Sequence, residues 1–131
     1  MQQTFYNYWG KAKPASASDA ASHHLLVYHS LDVAATGQAM LERHPFLLRR
    51  LAAVMALPEE AARKWCVFLL GIHDLGKFAE SFQQLRPDLR RQLWPGEEIR
   101  KTQYNIRHDS LGKMLWDQYL VNKLFSCGSG L

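Results

Sequence analysis

The stretch Phe68-Leu69-Leu70-Gly71-Ile72-His73-Asp74-Leu75-Gly76-Lys77-Phe78 reads as an apolar helix that ends in a histidine, an aspartate and a lysine. Neighbours on a helix point roughly 100° apart, so His73 and Asp74 reach one metal ion only where the backbone bends. Gly76 is expected to supply that bend. Lys77 follows His73 by four residues and Asp74 by three, spacings that share a helix face if the turn persists. A neutral imidazole and a carboxylate suit a borderline divalent metal, and a carboxylate can bridge two ions. A lysine beside them can hold a phosphate oxygen or balance charge in a transition state. A His-Asp pair alone also closes many ordinary core helices. Here the apolar run Cys66 to Ile72 delivers the pair straight out of the core.

Working outward, Pro58-Glu59-Glu60 opens this helix, with both acids near the positive end of its dipole. Before it, Pro45 to Leu57 places Phe46, Leu47, Leu51, Val54 and Met55 at helical spacing, with Arg49 and Arg50 outward. The preceding helix is expected to start after Ser22 and run to about His44. Along it Leu25, His29, Val33 and Met40 fall near one stripe, which makes His29 a core histidine or a further ligand. His23 and His24 read as surface or capping residues at its start, and His44 carries no functional claim. Phe5, Tyr6, Tyr8 and Trp9 are too aromatic for a loose tail and are expected to dock onto the domain. Lys13 to Ser22 reads as a mobile linker.

After the dyad, Phe78, Phe82 and Leu85 keep helical spacing as far as Pro87. The segment from Pro87 to Arg107 is expected to be irregular, with a turn at Trp94-Pro95-Gly96. Arg86, Arg90, Arg91, Arg100, Lys101 and Arg107 crowd there among Trp94 and Tyr104. Cations that track phosphates and rings that stack on bases suit a single-stranded nucleic acid. A solvated loop with inward-packed aromatics is the other reading. His108 opens a last helix carrying Leu111, Met114, Leu115, Tyr119 and Leu120, and residues 126–131 complete no element.

The chain has 131 residues, 47% hydrophobic and 21% charged, which suits one soluble globular domain and excludes a disordered chain. A net charge of +4 makes a polyanionic partner plausible. Nothing approaches a membrane span or a signal peptide. The two cysteines, Cys66 and Cys127, form no disulfide framework, consistent with a reduced, cytoplasmic setting.

Several segments together carry a resemblance: Tyr8-Trp9-Gly10-Lys11; His24-Leu25-Leu26-Val27-Tyr28-His29-Ser30-Leu31-Asp32-Val33-Ala34-Ala35; His73-Asp74-Leu75-Gly76-Lys77-Phe78 with Phe82-Gln83; and His108 with Leu111-Gly112. In this order they resemble the N-terminal HD nuclease domain of the CRISPR-associated nuclease-helicase of type I systems, subtype I-E in particular. The resemblance implies an all-α HD-domain bundle spanning residues 1–125. It also implies one or two divalent transition metals (Mn, Fe, Co, Ni or Zn) and cleavage of single-stranded DNA fed by a helicase domain recruited to the Cascade complex. By position, His29, His73 and Asp74 would hold the first metal, Asp74 and His108 the second, and Lys77 would face the reacting phosphate. The family's pattern continues with a His-His pair and a later Asp. No histidine follows His108, so a truncated piece is expected, with Trp116 and Leu120 exposed. The alternatives are an HD-type nucleotide phosphohydrolase, which leaves Tyr8-Trp9-Gly10-Lys11 unexplained, and a non-catalytic helical remnant.

Overall fold

The computed structural model describes residues 4–13, 23–98 and 101–125. All of the expected linker Lys13–Ser22 but Lys13 itself, together with Arg100, Cys127 and the tail at 126–131, lies outside the described residues. The fold is mostly helical, as expected, with one two-stranded sheet among the described residues. The chain divides into two compact units, Val27–His73 and the pair of segments Met1–Leu26 with Asp74–Leu131.

The unit Val27–His73 contains three helices: α1 (Leu26–Arg43, whose first residue belongs to the other unit), α2 (Pro45–Met55) and α3 (Glu59–Ile72). Helix α1 begins three residues later than the sequence suggests. His23–Leu25 instead forms a strand, because its backbone groups find partners across a sheet that a bare helix start would leave open. The inward stripe of α1 also differs: Leu41 is 2% exposed and Met40 is 47% exposed. His29, Val33, Gly37 and Leu41 thus lie four residues apart on one line. Gly37 is a contact point, since a Cβ there would sit 2.1 Å from Leu70 Cδ1 of α3. A helical glycine is unfavourable by about 1 kcal/mol. Here it admits Leu70, and one turn along α1 the small pair Ala34 and Gly71 also meets.

Helix α2 shows Leu47, Leu51 and Met55 half-buried and Ala52 buried, whereas Phe46 and Val54 are exposed, against the stripe expected for them. Ala56 ends α2 in the left-handed region (φ 53°), with its N–H aimed at the carbonyls of Ala52 and Ala53, and Pro58 then starts α3. Cys66 is half-buried, its Sγ 3.9 Å from Met55 Sδ.

In the other unit, strand β1 (Trp9–Ala12) pairs antiparallel with β2 (His23–Leu25), matching Trp9 with Leu25, Lys11 with His24 and Ala12 with His23. Of the aromatic N-terminal segment, Tyr8 and Trp9 dock as expected, whereas Phe5 and Tyr6 are exposed. Trp9, Phe82 and Leu89 form the buried core, with Ala12, Leu93 and Tyr104 against it. The chain then runs through a 3-10 turn (Leu75–Phe78), α4 (Glu80–Gln83), α5 (Pro87–Leu93), α6 (His108–Leu115), a π-helical turn (Trp116–Leu120) and α7 (Val121–Phe125). Helix α5 replaces part of the expected irregular segment. Pro87 sits in its first turn, Asp88 near its positive end and Arg90 and Arg91 near its negative end, which together offset its short length. The turn at Trp94-Pro95-Gly96 is present, with Gly96 at φ 83°. Trp116 and Leu120 are half-buried rather than exposed.

Candidate functional site

The crossing of α1 and α3 through Gly37 and Leu70 brings in the two histidines that flank it. His29 lies two turns before Gly37 on the same stripe, and His73 follows Leu70 by three residues. Their ring centroids stand 5.7 Å apart. His73 Nδ1 is 2.7 Å from the Leu70 carbonyl. A carbonyl can only accept, so Nδ1 carries the proton and the ring lone pair is on Nε2. This is the usual support for a metal-binding histidine.

Helix α3 ends at Ile72, and Asp74 leaves it with φ −99° and ψ 19°. The bend therefore falls at the dyad itself and not at Gly76. Asp74 is 5% exposed. Its Oδ2 lies 2.7 Å from Lys77 Nζ, because three residues make one full turn of 3-10 helix and superpose the two side chains. Lys77 Nζ also donates to the Gly10 carbonyl at 3.0 Å. Strand β1, which carries Gly10, is held by Gln83, which is fully buried. The Gln83 side-chain amide accepts from Trp9 N–H at 3.1 Å and donates to the carbonyls of Trp9 at 3.0 Å and Lys77 at 2.8 Å. The Trp9 indole donates to the Gln83 backbone carbonyl at 3.1 Å. Thus Tyr8-Trp9-Gly10-Lys11 reaches the dyad through backbone contacts, a role that no single-residue motif announces.

Gly76 acts by closeness instead of by turning the chain. A Cβ on it would lie 1.9 Å from the His108 carbonyl oxygen and 2.7 Å from the Gly112 nitrogen. Helix α6 packs directly on the 3-10 turn at these two glycines, which brings His108 Nε2 to 3.5 Å from Asp74 Oδ1. The ring of Phe82 flanks that of His108 at 5.3 Å between centroids. Tyr104 accepts the His108 backbone N–H at 2.9 Å, and its hydroxyl lies 3.0 Å from His108 Nδ1. Tyr104 therefore packs inward instead of offering a stacking face.

The basic residues divide by burial. Arg90 is 5% exposed, its Nε 3.0 Å from Glu80 and its guanidinium 5.0 Å over Trp94. A long side chain so enclosed is a structural cation, which corrects its reading as a nucleic-acid contact. Arg86 is engaged by Asp88 at 2.6 Å, and the hydrogen bond from Arg86 holds the Asp88 carboxyl down to about 2. Arg91 and Lys101 are exposed, as is Arg107, which pairs with Asp109 at 3.2 Å.

His29 and His73 stand ring to ring within one unit, and Asp74 follows His73 directly in the chain. Two imidazoles and a carboxylate, one imidazole already oriented by a carbonyl, fit a divalent transition ion. A mostly helical fold with this dyad at the end of a helix defines an HD domain, a class that binds divalent metals. Residues 9–129 match the family described as Cas3, HD domain, and the chain belongs to that family. Relatives include the CRISPR-associated endonuclease/helicase Cas3 of Escherichia coli (strain K12), 34% identical over 77 residues, covering 59% of this chain and 9% of that protein. The protein of the same name from Thermus thermophilus is 46% identical over 61 residues, covering 46% of this chain and 7% of that protein. The chain thus aligns with under a tenth of either relative. No solved structure gives a significant match. Among the described residues, no helix is long and apolar enough to cross a membrane.

Proposed function

We propose that this chain is a metal-dependent nuclease domain of CRISPR antiviral interference that cuts single-stranded DNA in the cytoplasm, working with a helicase and the Cascade complex. The observation that carries the reading is the convergence on Asp74. His73 adjoins it, Lys77 pairs with one oxygen at 2.7 Å, and His108 faces the other at 3.5 Å. His29, His73 and Asp74 hold the first divalent transition cation, Asp74 and His108 contribute to a second, and Arg91, Lys101 and Arg107 offer cations to the strand.

When bound, such a cation supplies Lewis acidity toward a phosphoryl oxygen and acidifies water. The chain's own residues do the positioning. His73 presents Nε2 because the Leu70 carbonyl accepts the N–H of its other nitrogen. Lys77 has three N–H donors, of which Asp74 and Gly10 take two, leaving one for a phosphate oxygen.

The test is incubation of the purified chain with a single-stranded oligonucleotide and manganese or nickel, beside Asp74→Ala. Cleavage by the parent and none by the variant is expected. Absence of metal-dependent cleavage by a folded parent overturns the reading. Faster hydrolysis of a free nucleotide than of the strand favours a nucleotide phosphohydrolase instead.

A further inference from the structure

The two histidines beside Asp74 are supported by different chemistry. His73 Nδ1 faces a carbonyl, which only accepts, so a single tautomer is set. His108 Nδ1 faces the Tyr104 hydroxyl, which can either donate or accept. That hydroxyl already accepts the His108 backbone N–H at 2.9 Å and retains a second lone pair and its own proton.

We propose that Tyr104 is a positioning residue that lets His108 exchange its ring proton between nitrogens, so that one imidazole serves the site both without and with a second cation. Without a cation, Nε2 faces the Asp74 carboxylate at 3.5 Å, and only an Nε2–H is attracted to it. Nδ1 then carries the lone pair and accepts the Tyr104 O–H. With a cation at Asp74, Nε2 must present its lone pair, so the proton sits on Nδ1 and is donated to the second lone pair of the Tyr104 oxygen. The hydroxyl rotates and the ring stays in place. A carbonyl partner would repel the first tautomer, and a methyl or phenyl group would support neither.

Tyr104 is anchored well enough for this. Its ring packs against the Trp9, Phe82 and Leu89 core, with the Phe82 ring 6.1 Å away. The same Phe82 flanks His108. The arrangement makes the second cation weaker than the first, since its binding requires a proton relocation that His73 does not.

This inference rests on the metal reading above, and the experiment separates the two. Nitrogen-15 spectra of the histidine side chains report the tautomer of each ring as zinc ion is added to the full chain and to Tyr104→Phe. In the metal-free parent His108 is expected as the Nε2–H form, converting to Nδ1–H with zinc, at higher zinc concentration than His73 needs to respond. In Tyr104→Phe, zinc is expected to reach half-saturation at His108 at a concentration about tenfold or more higher. The His73 response is expected to stay within about twofold, which also shows that the variant is folded. An Nδ1–H form of His108 in the metal-free parent overturns the proposal. So does an unchanged zinc response of His108 in the variant. Failure of both His73 and His108 to respond in the parent overturns the metal reading, and this inference with it.

Discussion

Replacing Gly76 by alanine tests how the fold brings His108 to Asp74. The added methyl carbon would begin 1.9 Å from the His108 carbonyl oxygen and 2.7 Å from the Gly112 nitrogen. Carbon and oxygen approach no closer than roughly 3.3 Å even in favourable contacts, so α6 and the 3-10 turn must separate by about 1.4 Å. Both obstructing atoms are backbone, so no side-chain rotation relieves them. Overpacking typically costs about 1–3 kcal/mol, and a clash against two backbone segments belongs at the upper end, about 3 kcal/mol. The reciprocal change, Gly112→Ala, meets the Gly76 nitrogen at 3.1 Å, a gap that a few tenths of an ångström restores. Alanine is also favoured over glycine inside a helix by about 1 kcal/mol, so Gly112→Ala should stay within about 1 kcal/mol of the parent. Urea denaturation of the three proteins with a shared m-value measures both quantities. Gly76→Ala within about 1 kcal/mol of Gly112→Ala would refute the reasoning, because it would mean that the crossing is loose. The same displacement widens the 3.5 Å approach of His108 to Asp74, so zinc should perturb His108 only weakly in Gly76→Ala while His73 still responds.

Gln83→Leu leaves Trp9 N–H, Trp9 C=O and Lys77 C=O without the side-chain amide, and should cost about 3 kcal/mol or more by urea denaturation; a loss below about 1 kcal/mol would contradict the clamp. Asp88, held by Arg86 at about 2 against an ordinary 3.8, stabilises the fold above the ordinary value and loses that contribution as pH falls through about 2. The gain is small because the carboxylate is largely exposed, but carbon-13 titration should give a midpoint near 2 in the parent and close to 3.8 in Arg86→Gln, and equal midpoints would remove the cause assigned here. Among the cations, Arg91→Ala and Lys101→Ala should each reduce the slope of log binding constant against log salt for single-stranded DNA by about 0.7 without unfolding the chain. Arg90→Ala should instead destabilise the fold by about 3 kcal/mol, as it strips Glu80 of its enclosed partner; a purely salt-dependent binding defect would reverse that division.

The dyad helix was legible because its signal is local: an apolar run, two acids at its start and a His-Asp pair at its end lie within one continuous segment. Helices α2 and α6 were legible for the same reason, and the direction of His29 followed from a four-residue line along α1. The sheet was not, because Trp9–Ala12 and His23–Leu25 are too short to show alternation and depend on one another across intervening chain. Helix α5 was hidden by Pro87, which punctuates a sequence whether it ends one helix or begins the next. Composition grouped Arg90 with Arg91, although the fold buries one and exposes the other, since neighbours on a helix point about 100° apart. Gly76 serves the fold through its lack of a side chain and not through the bend expected of it. Its missing side chain admits α6, a contact made 32 residues away in sequence, which local backbone reasoning does not reach.

That long-range contact also explains why the dyad alone is a weak signal and the set of segments a strong one. A carboxylate as enclosed as Asp74 needs a charge partner, and a His-Asp pair does not provide one. Lys77 does, because the 3-10 turn superposes residues three apart. Its ammonium is long and mobile unless a second acceptor holds it, and Gly10 is that acceptor. Gly10 stays in place because Gln83 grips the neighbouring Trp9 from both sides of its peptide backbone. His108 completes the array only because two glycines let α6 close on the turn. Trp9, Gly10, Gln83, Gly76 and Gly112 therefore act on the site through its geometry. Each removes a degree of freedom from Asp74, Lys77 or His108, and the site exists where those restrictions meet.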